Sequence, residues 1–182
     1  MSAPEFRGLR PAALAALLGL FAAAPSGDVA AAEVFRYDFQ GASGICQPAL
    51  SSHAATLRAR PLAFVNEGEA TAFVTCTFRG DPRAGARGAT KVLAHVGNVG
   101  TAVAAVSCTF VEGRQLGGQS NAVYRTKSTS VFGGSPGTAL TWQPSEIAGG
   151  PELIYQAAVQ CALGPGGALH YISVFYDEDI GS

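Results

Sequence analysis

Residues 73–78 read FVTCTF, and thirty-two positions further on residues 105–110 read AVSCTF. Successive side chains of an extended strand point to opposite faces, so residues i, i+2 and i+4 share a side. Val74, Cys76 and Phe78 therefore share one face of the first phrase, and Val106, Cys108 and Phe110 one face of the second. A looser copy, AVQCAL at 158–163, groups Val159, Cys161 and Leu163 in the same way. In each copy the sulfur travels with bulky apolar side chains, while Thr75, Thr77, Ser107, Thr109 and Gln160 face the other way. The phrase predicts three strands, each presenting one cysteine to a hydrophobic core.

Working outward, alternation and turn residues predict further strands. Val34–Phe39 is one, and Ile45–Leu50 is an edge strand or loop because it carries Pro48. Leu62–Asn66 and Ala70–Phe78 flank a hairpin turn at Glu67-Gly68. Lys91–Gly97 and Thr101–Glu112 flank another at Asn98-Val99-Gly100. Ala122–Phe132 and Thr138–Gln143 flank Gly133-Gly134-Ser135-Pro136-Gly137, and Ile154–Leu163 and Leu169–Asp177 flank Gly164-Pro165-Gly166-Gly167. Only Ser51–Arg60 has helical character, with Ser51 or Ser52 as cap and Pro61 as its end. About eight to ten short strands at this spacing predict an all-β chain, an antiparallel β-sandwich or jelly roll.

The N-terminus has the form of a secretory signal. Arg7 and Arg10 precede the apolar run Ala12–Ala24, Pro25-Ser26-Gly27 breaks it, and Ala30-Ala31-Ala32 offers a cleavage site after Ala32, or after Ala31. The expected organisation is a signal peptide over 1–32 and one domain over 33–182, about 150 residues and enough for a sizeable core. Losing Glu5, Arg7, Arg10 and Asp28 leaves the formal net charge at −1. Nothing in that balance directs the chain to nucleic acid or an anionic membrane. No later apolar run is long enough to span a bilayer. The expected location is periplasmic or secreted.

Cys46, Cys76, Cys108 and Cys161 all lie in the exported part, at gaps of 30, 32 and 53 residues. In an oxidising compartment an even count predicts two disulfides, and the absence of paired C-x-x-C spacing argues against a zinc site. Three connectivities are open; Cys46–Cys76 with Cys108–Cys161 is favoured because sequence neighbours close the smaller loops. Each bridge stabilises by up to about 4 kcal/mol in the chain-entropy picture.

Several phrases together carry a resemblance: SGICQPAL (43–50), LRARPLAFVNEGEATAFVTCTF (57–78), VSCTFVEG (106–113), LTWQP (140–144), VQCALGPG (159–166) and the closing VFYDEDIGS. The chain resembles a family of small exported proteins of Gram-negative bacteria with a signal peptide, a Cys-Gln-Pro near the mature start and three later strand cysteines. That resemblance implies export and disulfides. It brings no activity, cofactor or catalytic residue.

The remaining motifs have plain readings. Gly133–Gly137 matches the G-x-S-x-G of a hydrolase nucleophile elbow, but that motif needs a strand-to-helix turn, and TALTW continues as a strand. A glycine-rich hairpin loop is the better account. His53, His95 and His170 stand singly, and His170 is in phase with Ile172 and Val174, as a structural histidine would be. Arg79-Gly80-Asp81 forms an RGD tripeptide in a polar loop, a form that chance supplies readily. Asp177, Glu178 and Asp179 form an acidic cluster without calcium-loop spacing, so a solvated tail is expected. Trp142 shares a face with Leu140 and reads as core, whereas Tyr37, Tyr124, Tyr155 and Tyr171 are candidates for a shallow surface.

No catalytic residue, cofactor or metal ligand is assigned. The sequence points to a non-enzymatic structural or interaction protein of the bacterial envelope or extracellular space, partnered by a protein or a glycan. A carbohydrate- or ligand-binding module is the alternative, and it requires a row of exposed aromatics or a polar groove. A hydrolase built from scattered residues comes next, and a subunit that assembles by strand exchange is a further possibility.

Overall fold

The computed structural model describes residues 33–78, 88–113, 115–116, 119–120, 122–147 and 157–179. The leader, the Arg79-Gly80-Asp81 triplet and Tyr155 lie outside them. In chain order the elements are β1 (Glu33–Gly41), α1 (Ala42–Ile45), β2 (Cys46–Pro48), β3 (Leu57–Arg60), β4 (Ala63–Asn66), β5 (Ala72–Thr77), β6 (Lys91–Asn98) and β7 (Ala104–Glu112). They continue with β8 (Gln115–Leu116), β9 (Gln119–Ser120), β10 (Val123–Val131), β11 (Thr138–Trp142), α2 (Pro144–Ile147), β12 (Ala157–Leu163) and β13 (Gly167–Asp179). Two antiparallel sheets pack as a sandwich. The larger runs β11-β6-β13-β4-β3, with β1 beside β4 on the same edge of β13; the smaller runs β10-β7-β12-β5-β2.

The cysteine phrases form β5, β7 and β12, adjacent in the smaller sheet in the order β7-β12-β5. Val74, Cys76, Val106, Cys108, Phe110, Val159, Cys161 and Leu163 are all buried in the main core, against Val92, Ala94, Val96, Ile172 and Val174 from the larger sheet. Trp142 is fully buried there too, 5.7 Å from Phe110 between ring centroids, and its indole N–H donates to the Arg125 carbonyl.

The connections differ from the expected hairpins. β4 and β5, β6 and β7, β10 and β11, and β12 and β13 each lie in different sheets, so all four glycine-bearing links are arches that carry the chain across the core. Leaving aside β1, β2 and β3, β11-β6-β13-β4 faces β10-β7-β12-β5, so the sandwich is a stack of four arches in the same order on both sides. A hairpin and an arch look alike in sequence: both need two alternating runs and a flexible link. Strand alternation says which residues face the core but not whether the next strand returns to the same sheet.

Two asparagines hold the arches. Asn66 donates from Nδ2 to the carbonyls of Ala70 and Leu163, and its Oδ1 accepts the Gly68 N–H. Asn98 donates to the carbonyls of Ala102 and Val131 and accepts the Gly100 N–H. Each amide closes its own arch and satisfies the last carbonyl of the neighbouring strand in the smaller sheet. The glycine-rich arch between β12 and β13 fits between them: Gly166 donates its N–H to Asn66 O and accepts that of Val99. Gly166 sits at φ 74°, and a Cβ there would approach Asn98 Oδ1 to 2.9 Å, so glycine is required. The thirty-two-residue offset between the cysteine phrases therefore belongs to a longer unit, Asn-x-Gly-x-Ala followed by the strand, at 66–78 and again at 98–110.

Cys46 is joined to Cys76 and Cys108 to Cys161. Both bridges link residues directly opposite on neighbouring strands, β2 with β5 and β7 with β12. They brace the smaller sheet from its core side and do not tie the two layers together. Ser51–Arg60 is not a helix: a single 3-10 turn covers Ser51–His53, and Leu57–Arg60 pairs with β4 because Leu57 is buried against the core. At the far edge α2 begins with Pro144, and Glu146 reaches back to the Gln143 N–H, a helix-start arrangement. Lys127 donates to both Thr141 O and Glu146 Oε1, closing the edge between β10 and β11.

Replacing Asn66 with Ala removes three hydrogen bonds and strands the buried Leu163 carbonyl. Equilibrium urea unfolding should register a loss of about 2–4 kcal/mol. The two disulfides should also part company under mild native reduction. Cys46 is partly exposed on a three-residue edge strand, whereas Cys108 and Cys161 are fully buried. Timed alkylation and peptide mapping should recover thiols at Cys46 and Cys76 well before those at Cys108 and Cys161.

Candidate functional site

The outer face of the larger sheet is aromatic. In β1, alternation sends Phe35, Tyr37 and Phe39 to one side and Arg36, Asp38 and Gln40 to the other. The register places Asp38 opposite Val174 and Gln40 opposite Ile172, which belong to the core. The polar residues thus lie on the core-facing side of the sheet, and the rings point outward. Phe35, Tyr37 and Phe39 are each 57% exposed. They stand opposite Asp177, Phe175 and Ser173 of β13, and the next strand adds Lys91, Leu93 and His95 opposite Phe175, Ser173 and Tyr171.

These side chains form a continuous ring layer. Ring centroids lie 5.9 Å apart for Phe35 and Phe175, 6.1 Å for Tyr37 and Phe175, 5.1 Å for Tyr37 and Phe39, and 5.2 Å for Phe39 and Tyr171. His95 stacks on Tyr171 at 4.9 Å with the planes 11° apart. The Lys91 ammonium sits 3.9 Å over the Phe175 ring, a favourable cation–π placement. Beneath the layer, Ser173 Oγ and His95 Nδ1 are buried and have no hydrogen-bond partner.

A β-bulge at His170 makes this arrangement possible. Leu169 pairs with Val96 and Tyr171 with His95, so two residues of β13 advance against one of β6. The bulge reverses the parity of the strand: Leu169 and Ile172 both enter the core, and Tyr171 turns outward. His170 is therefore not in phase with Ile172 as alternation suggests. Its Nδ1 lies 3.2 Å from the Leu62 carbonyl, and its ring lies over Gly97, where a Cβ would collide with Nε2. His95 is held below the ordinary imidazole pKa, first by burial and second by the neighbouring His170.

The residues singled out from sequence do not converge. Ser135 lies in the arch between β10 and β11; its hydroxyl accepts the Gly137 N–H at 3.4 Å, and β11 follows instead of a helix, so the elbow geometry is missing. Asp177, Glu178 and Asp179 are not a solvated tail but the end of β13, paired with β1. Because successive residues of a strand face opposite ways, Asp177 joins the ring face while Glu178 pairs with Arg36 at 2.9 Å on the other side. Among the described residues no three His, Cys, Asp or Glu side chains gather as a metal site. His53 stacks on Phe73 at 5.5 Å and accepts its N–H. Of the tyrosines expected at a surface, Tyr37 and Tyr171 belong to the ring layer, and Tyr124 is exposed on the outer face of the smaller sheet.

Two grooves accompany these surfaces. One of about 490 Å³ runs beneath the core-facing side of β1, lined by Gln40, Gly44, Ile45, Thr77 and Phe78. The other, about 460 Å³, lies on the smaller sheet among Ser107, Ser128, Ser130 and Ala162. Neither lining contains a nucleophile paired with a base.

No family model and no curated protein matches the chain. Among solved structures the chain is similar to TmCBM61 in complex with β-1,4-galactotriose, with a TM-score of 0.36 and 10% identity, covering 79% of this chain and 88% of that one. At that level of similarity no feature is transferred from it. No described helix is long and apolar enough to cross a membrane.

His95 gives the fold a pH dependence. Because its pKa is lowered on folding, the unfolded chain takes up a proton near 6.5 that the folded protein resists. Stability should be complete above that value and fall as the pH drops through it. Urea unfolding between about pH 7.5 and pH 5.5 should show this fall, and His95→Phe, which keeps a ring on Tyr171, should flatten it.

Proposed function

We propose that the chain is an exported, non-catalytic binding module whose contact surface is the ring layer on the larger sheet, and that its ligand is a glycan chain. One observation carries the reading: Phe35, Tyr37 and Phe39, each 57% exposed, form one continuous layer with Tyr171 and Phe175 on a hydrogen-bonded sheet. Five clustered rings on one face exceed the scattered exposure normal for a solvated surface and mark a place of contact. The shape of the face selects the ligand class. It is an open strip along two strands, which suits an extended chain lying across it. Ring faces offer stacking to the C–H faces of sugars, while Asp177, Lys91 and the two tyrosine hydroxyls supply hydrogen-bonding groups beside them. The disulfides and the leader-like N-terminus support export, where such ligands are found.

A glycan array followed by titration calorimetry on the strongest binder tests this. Tyr37→Ala and Phe39→Ala should each weaken binding about fivefold, since one ring contact is worth roughly 1 kcal/mol. Both residues are exposed, so the melting temperature should stay close to that of the wild type. An array without a hit, or binding unaffected by either substitution, would sink the proposal.

A further inference from the structure

Strand β1 presents a second surface, the edge that no described strand occupies. Among the described residues it pairs with β13 alone, over nine residues in unbroken register. The other outer strands of the two sheets are guarded. β2 has three residues and contains Pro48, β3 has four and carries Arg58 and Arg60, and β11 has five. β10 is long, but Arg125 and Lys127 reach from it to Glu146 and Thr141 and close that side. Short length, proline and occupied charges are the usual ways in which a sheet edge is kept from pairing. β1 has no proline, no bulge and full length.

The sequence of β1 is complementary to itself. In antiparallel pairing about a two-fold axis at Tyr37, residue 36 of one copy faces residue 38 of the other, and 35 faces 39. Arg36 then meets Asp38 of the second copy, twice over, on one side of the joined sheet. On the other side Tyr37 meets Tyr37, and Phe35 meets Phe39. Moving the axis to residue 36 would oppose Arg36 to Arg36, and moving it to residue 38 would oppose Asp38 to Asp38. Only the Tyr37 register among these pairs opposite charges, and like charges directly opposite are destabilising. Arg36 gives its Nε–H to Glu178 at 2.9 Å, and a guanidinium carries further N–H groups for a second carboxylate.

We infer that β1 pairs antiparallel with β1 of a second copy of this chain, with Tyr37 on the two-fold axis. The two larger sheets become one, and the two ring layers become a single surface with two-fold symmetry. This inference concerns the strand edge and does not depend on what the ring face binds.

Sedimentation equilibrium of the purified protein, expressed from its full-length gene in a Gram-negative host, tests it between about 1 and 200 µM, the range suited to a small interface. The wild type should reach a monomer–dimer equilibrium. Arg36→Asp and Asp38→Arg each create like-charge pairs across the axis and should each raise the dissociation constant at least about tenfold. Mixing the two variants restores opposite charges at both crossings, so the mixture should associate again. Unchanged melting temperatures show that each variant is folded, and Arg36→Lys, which keeps the charge, is the control expected to dimerise. A monomeric wild type throughout that range, a dimer indifferent to both charge reversals, or a mixture that stays monomeric would overturn the assignment.

Discussion

Where the chain crosses from one sheet to the other it must leave a hydrogen-bonded ladder, and the polar groups it abandons there are close to the core. Asn66 and Asn98 meet that constraint. Each side-chain amide hydrogen-bonds inside its own arch and reaches the last carbonyl of the neighbouring strand in the smaller sheet, Leu163 for Asn66 and Val131 for Asn98. A buried carbonyl without a partner costs as much as several favourable contacts return. The stacking of arches therefore depends on a side chain that donates two hydrogen bonds and accepts one within a single turn, which asparagine can do and an aliphatic residue cannot. With the arches fixed in that order, β13 falls between β6 on one edge and β1 with β4 on the other, which brings the ring layer together.

Much of the fold was legible because alternation is a local property. Val74, Cys76, Val106, Cys108, Val159 and Cys161 face the core as their spacing implies, and Trp142 follows Leu140 inward. The connectivity was less legible. Glu67-Gly68 and Asn98-Val99-Gly100 have the composition of hairpin turns, and what makes them arches is the reach of Asn66 and Asn98 to strands distant in sequence. One clue was present all the same. The repeat that begins at FVTCTF extends back through Asn66 and Asn98 at the same offset, so the turn belonged to the repeating unit.

The ring face was hidden by the same local rule that revealed the core. In Val34–Phe39 rings alternate with charges, and the ordinary inference sends rings inward. Arg36 and Asp38 face the inner side here because β1 lies at the edge of the larger sheet, where the inner side remains open to solvent. The inserted residue at His170 adds a second reversal, turning Tyr171 outward where strict alternation from Leu169 would turn it inward. Two strands from opposite ends of the described chain build the face, and no local pattern in either could announce the other. The hint lay in both having aromatic residues at even spacing, Phe35, Tyr37 and Phe39 two apart in one and Tyr171 and Phe175 four apart in the other.

The two sheets divide their labour. Both disulfides lie in the smaller sheet, each between neighbouring strands, so that layer is stapled covalently while its outer side is mostly serine, threonine and alanine. The larger sheet has no disulfide and holds the ring layer through β13, which pairs with three different strands. Exposed rings are costly to leave alone in water, and here they shelter one another: each of the five contacts at least one other ring, and Lys91 covers Phe175. That mutual packing restricts the rings, so less side-chain freedom is left to lose on any contact. A braced layer beneath and a mutually packed aromatic layer above are what the contact surface proposed for this face requires.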